Sequence, residues 1–223
     1  MTPDLTRGAG TDAAFTLCLN PLAEHDKPWT AEQDAILSDA GLALARETRS
    51  GWPGHAETKL HALPALAARL GVAELRYKDE ATRFGLGSFK ALGGAYAVAR
   101  LLARKIGEAL GREVSMAEVT QVAHPDEAAK ITVCCATDGN HGRSVAWGAQ
   151  NFGWACVIFI HATVSEGRKA AIEAYGAEVR RCAGNYDDSV REAQETATRE
   201  GWFVVSDTSY EGYMEIPKDV MQG

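Results

Sequence analysis

The sequence predicts an α/β protein in which parallel, twisted sheets carry flanking helices, and two observations lead there. From Ile131 onward short apolar runs alternate with amphipathic stretches. Ile131–Ala136, Ala155–Ile160, Ala177–Cys182 and Phe203–Ser206 read as strands, while the segment ending at Phe152, Ser165–Tyr175 and Tyr186–Glu200 read as helices. Strands and helices in strict alternation form parallel sheets with right-handed crossovers. The composition agrees: 223 residues, 46% hydrophobic and 24% charged, suffice to bury one core or two small ones. No internal repeat of fixed period is visible.

The elements before Ile131 follow from caps and breakers. Met1 to about Ala14 is polar and contains glycine, and is expected to be a mobile tail. Thr30, with Gln33 three residues on, makes a capping box for a helix through Ile36, Leu37, Leu42 and Leu44. That helix should stop at the turn Gly51-Trp52-Pro53-Gly54, after which His55 reads as a loop histidine. Pro64 opens a second helix that Gly71 closes, and a short strand runs from Leu75 through Tyr77. Gly85 and Gly87 permit a tight turn. Ser88 is a natural N-cap for a helix over Phe89–Lys105. Ser115 and Glu118 form another capping box, whereas His124-Pro125-Asp126 reads as a turn with His124 as a solvated loop residue.

Charge and cysteine usage exclude several function classes. A formal net charge of −7 without any Lys/Arg cluster argues against an extended nucleic-acid contact. The longest apolar run, Trp154–Ile160, is too short to span a bilayer, and Met1–Asn20 lacks the pattern of a secretory signal, so no membrane association and a cytoplasmic location are expected. Five cysteines, Cys18, Cys134, Cys135, Cys156 and Cys182, are odd in number and lack C-x-x-C spacing. They read as small core hydrophobes in a reducing compartment rather than disulfides or metal ligands.

In a parallel sheet, ligands bind at the carboxyl ends of the strands. That rule selects Thr137-Asp138-Gly139-Asn140-His141-Gly142, where glycines allow close approach and the following helix offers free N–H groups to an anion. A plain βα turn with an Asx cap accounts for the same residues, and His141 reads as a structural turn residue. Asp138 and Asp207 both fall at strand ends on the ligand side, where a cap or turn role is the ordinary one. Lys90 should sit in the first turn of its helix, where the dipole favours the neutral amine that a Schiff-base lysine needs. On local grounds alone, a solvated charge on an amphipathic helix is the commoner reading. The spacing around Lys90 is not that of a phosphate loop, and the Gly139 turn is not G-x-G-x-x-G, so a nicotinamide site has little support.

Three blocks in order carry a resemblance: YKDEATRFGLGSFKALGGAY at Tyr77–Tyr96, ATDGNHGRSVAWGAQNFG at Ala136–Gly153, and DTSYEGYMEIPKDVMQG at Asp207–Gly223. Together they resemble the diaminopropionate ammonia-lyases, part of the pyridoxal-phosphate enzyme group that includes threonine and serine dehydratases. The resemblance implies a fold of the tryptophan-synthase-beta-like type (fold type II) and pyridoxal 5'-phosphate as cofactor. It implies Lys90 as the cofactor-bearing lysine, with Phe89 packing on the cofactor ring and Asn140 bonding its phenolic oxygen. It further implies Asp138 and Asp207 as bases for the D- and L-isomers of an amino-acid substrate, and α,β-elimination of 2,3-diaminopropionate to pyruvate and ammonia. A serine/threonine dehydratase of the same group is the alternative within the class.

The family continues for a length comparable to this whole chain, carrying the Gly-rich phosphate loop, so the resemblance reads the sequence as an N-terminal part. Residues 1–96 would begin a large domain, 97–210 would form a small α/β domain, and 211–223 would start the return to the large one. A homodimer is expected for the full-length protein. A non-catalytic fragment acting as a binding or assembly module is the reading from another class, and its exposed core surface should favour self-association.

Overall fold

A computed structural model describes residues 20–23 and 26–223; the tail expected over Met1–Ala14 and Cys18 lie outside the described residues. Thr30 builds the capping box with Gln33, but its helix α1 spans only Ala31–Asp34. A second helix, α2 (Asp39–Ser50), starts at Ser38, whose hydroxyl accepts from the Gly41 N–H at 3.0 Å. The single helix expected from Thr30 to Leu44 is thus two, because Ser38 competes for the backbone as a cap in its own right. An antiparallel pair follows, β1 (Leu60–Ala62) and β2 (Arg76–Lys78), enclosing α3 (Pro64–Leu70), which Gly71 closes in the left-handed conformation.

From Lys78 the chain passes through a 3-10 segment, Glu80–Gly85, in which Phe84 has φ 49°. Gly85 and Gly87, at φ 72° and 67°, supply the turn that the sequence called for. Helix α4 (Ala91–Leu110) is the molecule's spine, with Ala91, Ala95, Tyr96, Ala97, Val98 and Ala99 all buried. Lys90 is its N-cap rather than a first-turn residue, and the Ser88 hydroxyl accepts from the Lys90 N–H at 3.2 Å instead of capping the helix. Two short helices come next, α5 (Met116–Thr120) with the Ser115/Glu118 capping box, and α6 (Pro125–Ala128). The turn expected at His124-Pro125-Asp126 is therefore the start of α6. His124 is not a free loop residue either: its Nε2 lies 3.1 Å from Glu118, which also takes Arg112 at 2.7 Å.

The alternating unit appears as predicted. In order it comprises β3 (Thr132–Ala136), α7 (Asn140–Phe152), β4 (Ala155–Ile160), α8 (Glu166–Glu173), β5 (Glu178–Arg181), α9 (Tyr186–Glu200) and β6 (Phe203–Val204). The four strands pair in parallel in the order β5-β4-β3-β6. Successive side chains bury on opposite faces: Val133, Cys135, Ile158 and Ile160 join the large core with α4 and α7, while Cys134, Val157 and Phe159 join a smaller one under α9 with Ala193 and Ala197. A sheet covered on both faces is the usual condition of parallel strands.

Burial pushes the Cys134 thiol up to about 12, in keeping with its role as a small core hydrophobe; Cys135, Cys156 and Cys182 are buried as well. The last helix, α10 (Glu215–Gln222), lies on α4, where Asp219 takes Arg104 at 2.7 Å and Arg100 at 3.3 Å. The closeness of that packing shows at Gly93, where a Cβ would meet the Val220 carbonyl at 2.5 Å. The boundary expected at 96/97 falls inside α4. No described helix is long and apolar enough to cross a membrane.

Candidate active site

Strand order fixes where a site can form. The chain runs from β3 to β4 to β5 on one side of β3, then returns to β6 on the other. The connections leaving β3 and β6 therefore part from one another, opening a crevice at their carboxyl ends. A cleft of about 680 Å³ lies there, walled by Lys90, Asp138, Gly139, Asn140, His141, Arg143, His161, Arg168, Tyr186 and Asp207, among others.

The turn after β3 is held by Thr137, the first residue of the run that the strand-end rule selects, to which the sequence reading gave no role of its own. The buried Thr137 hydroxyl accepts from the N–H groups of Gly139 and Gly142, each at 3.1 Å. The expected Asx cap is absent: Gly139 is the N-cap of α7, and the Thr137 hydroxyl on the Gly142 N–H takes the place of an N-cap side chain. This leaves the Asp138 and Asn140 side chains exposed in the cleft wall. Gly142 is required by space, since a Cβ would collide with the Thr137 methyl and stand 3.1 Å from Ile158.

Lys90 reaches the same cleft from α4. Its carbonyl accepts from the Ser144 hydroxyl of α7 at 2.9 Å and from the Gly94 N–H at 2.8 Å, so the start of α4 is pinned beside the turn. Its amine donates to Asp207 Oδ2 at 2.6 Å, across 117 residues of sequence. The lone neutral amine inferred from the helix dipole is thus an amine with a carboxylate partner. Phe89 follows a different course: it is 58% exposed and does not line the cleft, with the Lys90 amine 5.8 Å from its ring.

His141 completes the group. Nε2 lies 2.8 Å from the Val205 carbonyl, which can only accept, so Nε2 carries a proton. Nδ1 stands 3.6 Å from Asp207 Oδ2. Burial pushes the His141 pKa down, against the raising effect of Asp207 and of the Val205 bond. Burial pushes the Asp207 carboxyl up, yet His141 and the hydrogen bond from Lys90 outweigh it, and the net direction is down. Burial, then Asp207, pushes the neighbouring Tyr186 phenol up.

The structure brings together Lys90, Asp138, Asn140 and Asp207 at one cleft; Phe89 stays at its edge. Sequence reasoning missed Arg143, Arg168 and Tyr186, because spacing along the chain carries no trace of which helix turns face a cleft, and it missed His161, which the strand-end rule could have found at the carboxyl end of β4. The chemistry of the group suits pyridoxal phosphate. A primary amine is available to the aldehyde, an exposed amide to the phenolic oxygen, and free N–H groups at the start of α7 to an anion. Two buried polar atoms here, His141 Nδ1 and Arg143 Nε, lack a hydrogen-bond partner among the described residues.

Comparison with known proteins bears on this site. A family model described as "Pyridoxal-phosphate dependent enzyme" matches residues 52–221. The chain is 41% identical over 198 residues to the diaminopropionate ammonia-lyase of Escherichia coli (strain K12), covering 89% of this chain and 48% of that protein. The Escherichia coli enzyme in complex with D-serine superposes with a TM-score of 0.75 at 40% identity, covering 84% of this chain and 47% of that one. The same enzyme with an aminoacrylate-PLP azomethine reaction intermediate gives 0.73 at 39% identity, covering 84% and 46%. The chain thus spans about half the length of the curated relatives it matches.

Proposed function

The chain belongs to the pyridoxal-phosphate-dependent enzymes, and from that premise we propose that it supplies the catalytic lysine and bases of an ammonia-lyase acting on 2,3-diaminopropionate. The cofactor of this family is pyridoxal phosphate, and the fold is that of its type II members. The reaction proposed is α,β-elimination, which with water turns 2,3-diaminopropionate into pyruvate and two ammonia. One observation carries the reading: Lys90 and Asp207, from distant blocks, meet at 2.6 Å in the crevice where Asp138 and Asn140 leave β3.

When bound, the cofactor supplies an electron sink for the pair left at the substrate Cα. The protein's share is to hold it and to move protons. Lys90 is the residue that would hold it through Nζ, and Asn140 would donate to its phenolic oxygen; Phe89 would approach its ring from the edge of the cleft. Asp207, kept ionised by His141 and Lys90, is an acceptor for the Cα proton of the L-isomer. Asp138, exposed in the cleft wall, is the acceptor for the D-isomer. Acceptors on separate loops would let one site use both isomers. A full-length homodimer with residues 1–96 and 211–223 in a large domain, 97–210 in a small one, and a cytoplasmic location that suits the buried thiols, completes the proposal.

The test is a substrate panel on the full-length protein carrying this sequence. D- and L-2,3-diaminopropionate should yield pyruvate faster than serine does, and faster than threonine yields 2-oxobutyrate; the reverse order would favour the dehydratase reading. Lys90→Ala should abolish both turnover and the cofactor's visible absorbance, and an unchanged yellow protein would overturn the assignment.

A further inference from the structure

In contrast to Asp207, which accepts from Lys90, no hydrogen bond among the described residues fixes the Asp138 carboxylate. Its direction depends on its backbone. Thr137 holds the amides downstream, at Gly139 and Gly142. The Asp138 carbonyl itself is held by a different element: Arg168 Nη1, in the first turn of α8, donates to it at 3.3 Å. The Arg168 stem lies across the adjacent glycine, where a Cβ on Gly139 would stand 3.7 Å from Cδ and 3.9 Å from Nε. Among the described residues Arg168 pairs with no carboxylate. Among the described residues its side-chain hydrogen bond goes to this turn.

Arg168 is itself well anchored. The Ser165 hydroxyl accepts from its N–H at 3.4 Å, and Ile172 buries the helix against the core. The segment leading into α8 is tied to β5 by Arg181, which donates to the carbonyls of Val164 at 2.7 Å and Ala162 at 3.0 Å and pairs with Glu166 at 2.5 Å. Asp207, by contrast, owes nothing to α8: Lys90 and His141 hold it.

We propose that Arg168 is a positioning residue for one of the two bases: by clasping the Asp138 carbonyl it orients Asp138, and Asp207 is independent of it. The inference rests on the proposed assignment of the two aspartates to the two isomers. Small displacements of a reacting group cost rate steeply, on the order of a hundredfold for an ångström. Loss of the clasp should therefore appear as an isomer-selective fall in kcat.

The experiment measures kcat and KM of the full-length enzyme on D- and L-2,3-diaminopropionate for Arg168→Met, Arg168→Lys and Asp138→Asn. Arg168→Met keeps the stem over Gly139 and removes the donors. It should lower kcat on the D-isomer roughly tenfold, leave the L-isomer within about twofold and the melting temperature unchanged, and Arg168→Lys should recover most of the loss. An equal fall on both isomers, or none on the D-isomer, would overturn the proposal. Asp138→Asn separates the two failures: selective loss there with an unselective Arg168→Met sinks only the clasp, whereas an unselective Asp138→Asn sinks the underlying assignment and the clasp with it.

Discussion

The four-stranded sheet region and the segment before α4 contribute to one cleft but are held by different forces. In the sheet, Val133, Ile158, Phe159 and Ile160 are fully buried, and helices cover both faces. In the earlier segment, β1 and β2 are exposed throughout, and Leu60, Leu70 and Tyr77 lie more than half in the open. What secures that segment is partly aromatic and partly polar. Trp52 and Phe84 pack on Trp147 of α7, with Phe84 stacked 4.9 Å from it. Glu80 takes Thr58 at 2.6 Å and Arg83 at 2.7 Å, and Arg83 Nη1 reaches the Ala56 carbonyl at 3.0 Å. The lesson concerns Lys90: it ends the polar segment, while its partner Asp207 belongs to the apolar one.

The largest expected effect lies in the sheet. Ile158→Ala should cost about 3 kcal/mol in urea unfolding, from lost transfer energy plus a cavity that a two-sided sheet cannot collapse. A loss below about 1 kcal/mol would mean that the sheet is not the stable partner in the comparison. A smaller effect should appear in the polar clasp, where Glu80→Gln should cost about 1.5 kcal/mol by weakening a charged hydrogen bond.

The clasp also has a pH signature. The Arg83 hydrogen bond, against burial, holds the Glu80 carboxyl down at about 2 from an ordinary 4.5. A carboxyl depressed on folding adds stability that is present above its ordinary value and lost as pH falls through its folded one. Between pH 4.5 and about 2, hydrogen exchange should therefore open Ala56–Phe84 before Thr132–Ile160. Simultaneous opening, or the same profile in Glu80→Gln, would contradict the polar account.

How far the sequence could be read follows from the range of the interactions involved. Helix α9 is met at both ends, because Asn185 forms a capping box with Asp188 and Gly201 closes it in the left-handed conformation, all within three residues of a terminus. The same locality makes α3 legible from Pro64 and Gly71. The break at Ser38 is hidden by apolar spacing that continues across it, and the turn after β3, legible as a βα turn, differs in its cap because the Thr137 hydroxyl, two residues before the N-cap Gly139, does the work expected of an Asx residue. At the site, residue types at strand ends pointed to Asp138, Asn140 and Asp207. The Lys90–Asp207 contact and the Arg168 clasp join residues that only the crossovers bring together, and no local pattern encodes them.

The central claim is that this cleft presents Lys90 to the cofactor. It is tested most directly by incubating the full-length protein with pyridoxal phosphate, reducing with borohydride and locating the fixed cofactor by peptide mass spectrometry. A single phosphopyridoxyl group on the peptide containing Lys90 is the predicted result. A label on another lysine, or one spread over several surface lysines, would contradict the account.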